Sequence, residues 1–216
     1  MSLWSDFLTN EQRVIYKWKH YFPAYERHFG KFVNTDAVFI EIGCGQGGSL
    51  QMWKRFLGPH ARIIGVDINP HCAAFKEDQI EIRIGHQSDQ ALLESIVQEF
   101  GQPDVVLDDG SHVMSHIQST FNTLYPRLRR NGVYFVEDLH TAYWDEYEGG
   151  YKRKGSFIEA CKNYIDELNA QHTRNALTPT EFTFSTLSMH FYDSIVVFEK
   201  GRHTPKYAPA IGKSPV

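Results

Sequence analysis

Cysteine, basic excess and long apolar runs are all scarce in this chain. Cys44, Cys72 and Cys161 are its three cysteines among 216 residues. An odd number without short repeated spacing makes neither a disulfide framework nor a zinc motif, and points to reduced thiols in a cytoplasmic protein. Lys and Arg number 22 against 26 Asp and Glu, for a net charge of −4. That balance leaves no basic footprint for nucleic acid. No apolar run approaches the roughly 20 residues a membrane helix needs, so no membrane partner is expected. The opening stretch MSLWSDFLTNEQRVIYKWKH is charged and lacks the apolar core of a secretory signal. Internal repeats and long low-complexity tracts are missing too.

What the chain does have is core-forming material. Hydrophobic residues make up 42% and aromatics 14%, enough for one sizeable domain, alone or with an appendage. Residues 10–30 read as a helix rich in aromatics, broken or restarted at Pro23 and stopped at Gly30. A rhythm then begins. Strand-like runs at 37–43, 61–67, 80–85, 103–109 and 132–138 alternate with helical patterns at 48–57, 70–77, 89–100 and 116–128. Alternation of this kind implies βαβ units and a parallel sheet covered on both faces. Beyond it, residues 139–178 carry Trp144, Gly149, Gly150, the basic run Lys152, Arg153, Lys154 and a helical patch at 157–171. The segments 181–191 and 192–201 read as a strand pair joined by a tight turn, and 201–216 as a tail.

Two places in this frame carry chemistry. The first is IEIGCGQGGS at 40–49, a glycine-rich turn between strand and helix. Gly43 and Gly45 let a ligand approach the backbone, and Asp67, ending the next strand, is placed to hold ribose hydroxyls. Glu41 opens the loop. An acid there is unhelpful to a pyrophosphate but suits a cationic cofactor. The order of Glu41, the glycines, Asp67 and the polar step GHQSD at 85–89 resembles the class I S-adenosylmethionine (SAM)-dependent methyltransferases. That resemblance implies an α/β, Rossmann-like, seven-stranded, mostly parallel sheet with helices on both faces and a C-terminal antiparallel hairpin. It also implies Glu41, Gly43, Gly45, Asp67, Gln87, Ser88 and Asp108 as residues facing SAM.

The second place is a pair of acid pairs. VVLDDGSH ends one strand in Asp108-Asp109, and GVYFVEDLH ends another in Glu137-Asp138. Neighbouring strands would gather all four carboxylates at one edge of the cofactor cleft. Like charges that close raise one another's pKa unless something positive is present. An oxygen-rich cluster suits Mg²⁺ or another hard divalent cation. Successive strand residues point opposite ways, so not all four can be ligands. Asp109, Glu137 and Asp138 are the expected metal ligands, and Asp108 is a packing or cofactor-facing residue.

DDGSH, then EDLHTAYW, then SMHFYDSIVVFEKG resemble the Mg²⁺-dependent macrolide-sugar O-methyltransferases of the mycinamicin and macrocin type, and a related group named cephalosporin hydroxylases. The likeness covers roughly 37–200. It implies the same three ligands, His112 as general base, and a small-molecule acceptor with a diol-bearing sugar. Residues 1–36, an N-terminal helical segment, and 139–178, a lid or insertion, match little and are expected to shape the acceptor pocket. His140 is a candidate substrate contact, Lys17 and Tyr21 are candidates to reach the cofactor's carboxylate, and the N-terminal aromatics, Tyr25 among them, are core packing or a homo-oligomer face. Three rivals are weaker. A non-haem iron oxygenase wants two histidines and one carboxylate, a nicotinamide dehydrogenase has no use for Glu41, and a non-catalytic scaffold would not need Asp109, His112, Glu137 and Asp138 intact.

Overall fold

Residues 2–202 and 206–213 are described in a computed structural model of the chain. Seven strands form one sheet: β1 (Val38–Ile42), β2 (Arg62–Asp67), β3 (Ile80–Ile84), β4 (Val105–Asp108), β5 (Val133–Val136), β6 (Thr186–Tyr192) and β7 (Ile195–Lys200). Their order is β3-β2-β1-β4-β5-β7-β6. The first five are parallel, and β7 runs antiparallel to both β5 and β6. The expected fold class is therefore the observed one. The strand order reverses between β1 and β4, so a crevice opens at their carboxyl ends.

Strand parity builds two cores, one on each face. Phe39, Val105, Leu107, Val133 and Phe135 pack with α2 (Phe22–Phe29) and α3 (Gly48–Leu57), where Trp53 is fully buried. Val38, Ile40, Val106, Tyr134 and Val136 pack against α4 (Gln90–Phe100) and α5 (Met114–Leu124) on the opposite face. Period-two alternation in a doubly covered sheet sends odd and even positions to different helix layers. That parity later separates Asp108 from Asp109.

Three local expectations are corrected. Residues 10–30 are not one helix. A short α1 (Leu3–Leu8) is followed by irregular chain, and then by a 3₁₀ turn, Lys19–Tyr21, leading into α2. Tertiary contacts outweigh propensity here: Arg13 donates to the Phe75 carbonyl at 3.1 Å and pairs with Glu77 at 3.2 Å. Pro23 starts α2 rather than breaking it, because the first turn has no use for its missing N–H. Second, Pro70–Phe75 is 3₁₀ rather than α-helical. Third, residues 181–185 form α7 (Glu181–Ser185) before β6 begins. EFTFST alternates like a strand, but Thr180 and Thr183 close a capping box that starts a helix.

Within 139–178, α6 (Phe157–Leu168) belongs to the core, since Phe157 and Cys161 are fully buried. The exposed part of that insertion is narrower, and includes Tyr143, Trp144 and Tyr151–Gly155. Residues 206–213 form neither helix nor strand, and part of the expected 201–216 tail lies outside the described residues. Among the described residues, no helix is long and apolar enough to cross a membrane.

Candidate active site

The crevice above β1 and β4 is built from two cavities that share Gly43. One, of ≈ 190 Å³, is lined by Ile42, Gly43, Asp67, Gln87 and Ser111, among others. Asp67 is positioned there by its own turn. It accepts hydrogen bonds from Gly45 N–H at 2.9 Å and Asn69 N–H at 2.8 Å. The acid therefore ties the glycine loop to the end of β2 while lining the cavity. The other cavity, ≈ 460 Å³, lies between the glycine loop, the segment Val14–Lys17, and Asp109, His112 and Asp138.

Parity decides the roles of the acid pairs. Asp108 points to the α4/α5 face and is 1% exposed. Its carboxylate accepts from Gln87 Nε2 and from the Tyr134 hydroxyl, both at 3.2 Å. Burial pushes its pKa up to about 7. Gln87 is a brace: its Nε2 also bonds Thr120, and its Oε1 accepts from Ser111 N–H at 2.6 Å. Ser88 turns to His86 Nδ1 at 2.6 Å. Neither Ser88 nor Asp108 is among the residues lining the two cavities.

Glu41, Asp109 and Glu137 occupy the other face and meet one cation. The Lys17 ammonium contacts Asp109 and Glu137 directly and lies 3.4 Å from Glu41 Oε1. The Tyr25 hydroxyl donates to the second oxygen of Glu137. Glu41 is sealed beneath Lys17, with Ser49 Oγ donating to its Oε2 at 2.8 Å and no hydrogen bond to its Oε1. Burial raises the Glu41 pKa. Burial alone would depress the Lys17 pKa, but Asp109, Glu137 and Glu41 outweigh it and hold it well above the ordinary lysine value. Asp109 is raised too, by burial first and then by the Glu137 charge. Both directions signal a buried excess of negative charge.

Asp138 and His112 complete the opening. Both have a left-handed backbone, with φ of 57° and 59°, an uncommon conformation away from glycine that is found at special turns. His112 Nε2 stands 3.8 Å from Asp109 Oδ1 and 3.7 Å from Asp138 Oδ2. Burial lowers the His112 pKa, opposed by Asp138, so the imidazole tends toward its neutral, proton-accepting form. Tyr21 donates to Asp138 Oδ1 at 2.6 Å, and His140 Nδ1 stands 3.9 Å from that oxygen. Donor atoms of Asp109, His112 and Asp138 lie within 4.8 Å of one another, a spacing that could hold a metal ion. Glu137 adjoins this group with both oxygens engaged by Lys17 and Tyr25.

Aromatic rings line the way out. Trp18 meets His140 at 6.0 Å between centroids, His140 meets Trp144 at 4.9 Å, and Trp144 meets Tyr147 at 6.0 Å. Trp18 and Trp144 are about half exposed, at 49% and 45%. Sequence reasoning placed Trp144 in the segment expected to shape the acceptor pocket, gave Lys17 a different task, and counted Tyr25 only among the N-terminal aromatics.

Residues 40–139 match a methyltransferase domain family. The 8-demethyl-8-alpha-L-rhamnosyl tetracenomycin-C 2'-O-methyltransferase of Streptomyces olivaceus is 36% identical over 190 residues, which are 83% of this chain and 50% of that protein. Mycinamicin VI 2''-O-methyltransferase of Micromonospora griseorubida is 34% identical over 199 residues, 85% of this chain and 49% of its own. The chain spans about half the length of the curated relatives it matches. A solved structure of the MycE methyltransferase from the mycinamycin biosynthetic pathway, in complex with Mg, SAH and mycinamycin VI, superposes with a TM-score of 0.80. It is 33% identical and covers 93% of this chain and 53% of its own. By sequence motif, strand order and these similarities, the chain carries a methyltransferase domain with the class I fold and resembles the sugar O-methyltransferases.

Proposed function

We propose that the protein transfers a methyl group from SAM to a hydroxyl of a sugar or sugar-bearing small molecule, with a divalent cation held by Asp109, Glu137 and Asp138. The observation that carries this reading is the meeting of Asp109, His112 and Asp138 beside the glycine loop. The relatives' printed activities and the Mg and SAH of the MycE complex support it.

The residues suit these groups. An all-oxygen acid set is the donor chemistry of Mg²⁺, and the ammonium already lying among the carboxylates marks a place that takes positive charge. Glu41, with one oxygen free of hydrogen bonds, suits a cofactor carrying a sulfonium and an ammonium. SAM, when bound, supplies an activated methyl group. A divalent cation, when bound, lowers the pKa of a neighbouring hydroxyl.

The chain's own side chains do the rest. Asp67 holds the glycine loop in shape and offers its carboxylate to the ribose hydroxyls. His112 takes the acceptor's hydroxyl proton at Nε2, the nitrogen that faces Asp109 and Asp138. Tyr21 fixes Asp138. Trp18, His140, Trp144 and Tyr147 form a ring-lined wall on which the apolar face of a sugar can lie, as pockets for small molecules are largely aromatic with few polar groups. This reading places the work in the cytoplasm and calls for no nucleic acid or membrane. An iron oxygenase would need two histidines in the set, and the group holds one, His112.

The test is a methyl-transfer assay against glycosides bearing vicinal diols, with SAM, and with Mg²⁺ present or removed by EDTA. Methylation that needs both SAM and the metal supports the reading. Methylation indifferent to EDTA removes the metal from it.

A further inference from the structure

Lys17 sits where its charge competes with that of a metal. Its side chain is 3% exposed, and its ammonium contacts Asp109 Oδ2 and Glu137 Oε1, with Glu41 Oε1 at 3.4 Å. Tyr25 engages the remaining Glu137 oxygen. Glu137 is thereby left out of the group of ligand atoms that Asp109, His112 and Asp138 form. A divalent ion binds carboxylate oxygens at roughly 2.0–2.1 Å when it is Mg²⁺. An ammonium on the same two oxygens would then face a doubly charged ion across one atom, in a site with little solvent to screen it.

The segment bearing Lys17 is held by side chains, Arg13 to the Phe75 carbonyl and Glu77 among them, rather than by its backbone. Residues 11–17 make no main-chain hydrogen bond to the main chain of another described residue. Tyr16 is 88% exposed and Val14 58%. Few backbone bonds and high exposure mark a stretch that opens at low cost. The segment lies across the first turn of α3, with the Val14 carbonyl oxygen 2.2 Å from where a Cβ on Gly48 would stand. It also forms one wall of the cavity that holds Asp109, His112 and Asp138.

We infer that Lys17 is a resident counter-cation of the acid cluster: it holds Asp109 and Glu137 in place in the metal-free protein, and is displaced with residues 11–17 when a divalent ion binds. The inference rests on the metal reading given above. Lys17 is a positioning residue in this scheme. It keeps buried acids paired until the metal arrives, and its departure reshapes the cavity beside the glycine loop. Glu41, covered by Lys17 in the metal-free state, becomes open to a cationic cofactor by the same movement.

The experiment is a Mn²⁺ titration followed by electron paramagnetic resonance, on the wild type, Lys17→Met and Lys17→Arg, joined to limited tryptic cleavage of the wild type after Lys17 with and without Mg²⁺. Lys17→Met is expected to bind Mn²⁺ about tenfold or more tighter, since a charge repelling the ion from contact distance is gone. Lys17→Arg, which keeps the charge, is expected to stay near the wild type. Cleavage after Lys17, whose side chain is 3% exposed, is expected to quicken when Mg²⁺ is added, a readout that does not depend on how the variants fold. Equal Mn²⁺ affinity in the wild type and Lys17→Met, or slower or unchanged cleavage after Lys17 on adding Mg²⁺, overturns the inference and leaves the metal site standing. No Mn²⁺ binding by any of the three proteins removes the metal reading itself.

Discussion

Gly43 and Asp109 are in backbone contact: a Cβ added to Gly43 would stand 2.0 Å from the Asp109 carbonyl oxygen. The cofactor loop and the acid loop are thus pressed together at the ends of β1 and β4. Gly43 has φ of +83° and its N–H donates to the Val66 carbonyl at 2.7 Å, while Asp109 N–H donates to the Ile42 carbonyl at 2.9 Å. Neither loop can shift without the other. Gly43→Ala is therefore expected to weaken SAM and Mn²⁺ binding together, each by tenfold or more, since a side chain at positive φ adds roughly 1–2 kcal/mol to the clash. Paired titrations check this. Loss of one ligand with the other untouched would contradict the shared wall.

Asp109→Asn and Asp138→Asn are expected to cut metal-dependent turnover by at least about a hundredfold, the scale for removing a charge-holding group at a reacting centre. SAM affinity measured without metal should stay close to that of the wild type, because neither side chain touches Asp67 or the Gly45 amide it holds. Steady-state kinetics beside a SAM titration separates the two effects. Asp108→Asn makes a useful contrast. Its carboxylate is buried among Gln87 and Tyr134, so the substitution should act on stability before metal affinity.

Trp144→Ala is expected to raise KM for a sugar acceptor several-fold with little change in kcat. The ring stands 4.9 Å from His140 and is 45% exposed, so it can contribute binding surface without touching the reacting atoms. Removing contact made equally in the ground and transition states raises KM alone. Trp144→Phe should restore most of the loss. A fall in kcat with KM unchanged would place Trp144 in the chemistry rather than the wall.

Stability should carry a pH signature from His28, which is 1% exposed, with Nδ1 3.1 Å from Glu199 and Nε2 2.9 Å from the Tyr192 hydroxyl. Burial lowers its pKa below 6.5, opposed by Glu199 and assisted by His190 and Arg27. The folded state then binds fewer protons than the unfolded state just below pH 6.5. Its stabilising contribution is full above that pH and is lost as pH falls toward the folded value. Melting temperature should drop from pH 7 to pH 5.5 more steeply in the wild type than in His28→Gln. His112 and His116, also lowered by burial, are common to both proteins and cancel in the comparison.

Much of this was legible in the residues. Val- and Ile-rich runs placed the five parallel strands, and period-two parity alone separated Asp108 from Asp109. The expected gathering of all four acids was only partly right: a cation, Lys17, lies against Asp109 and Glu137, while Asp108 turns to the opposite face. Its identity was not readable. Lys17 meets Asp109 and Glu137 across 92 and 120 residues of sequence, and it sits in a stretch whose aromatics read as a helix. Only the folded chain shows that the stretch is irregular and turns inward. Residues 181–185 misled for a local reason, since a capping box and a strand can share one alternating pattern. Tyr25 was read as packing, which it is, yet its hydroxyl ends on Glu137.

The central claim is that Asp109, Glu137 and Asp138 form one divalent-cation site beside a SAM pocket. Its most direct test is an anomalous difference map from a crystal grown with SAM and soaked in Mn²⁺. The account predicts a single strong peak among Asp109, Glu137 and Asp138, with Lys17 withdrawn from Asp109. A peak at His28, His190 and Glu199 or at Cys44, Asp67 and Cys72 instead, the other groups with metal-ligand spacing among the described residues, or no peak beside Asp109 with SAM in place, would contradict it.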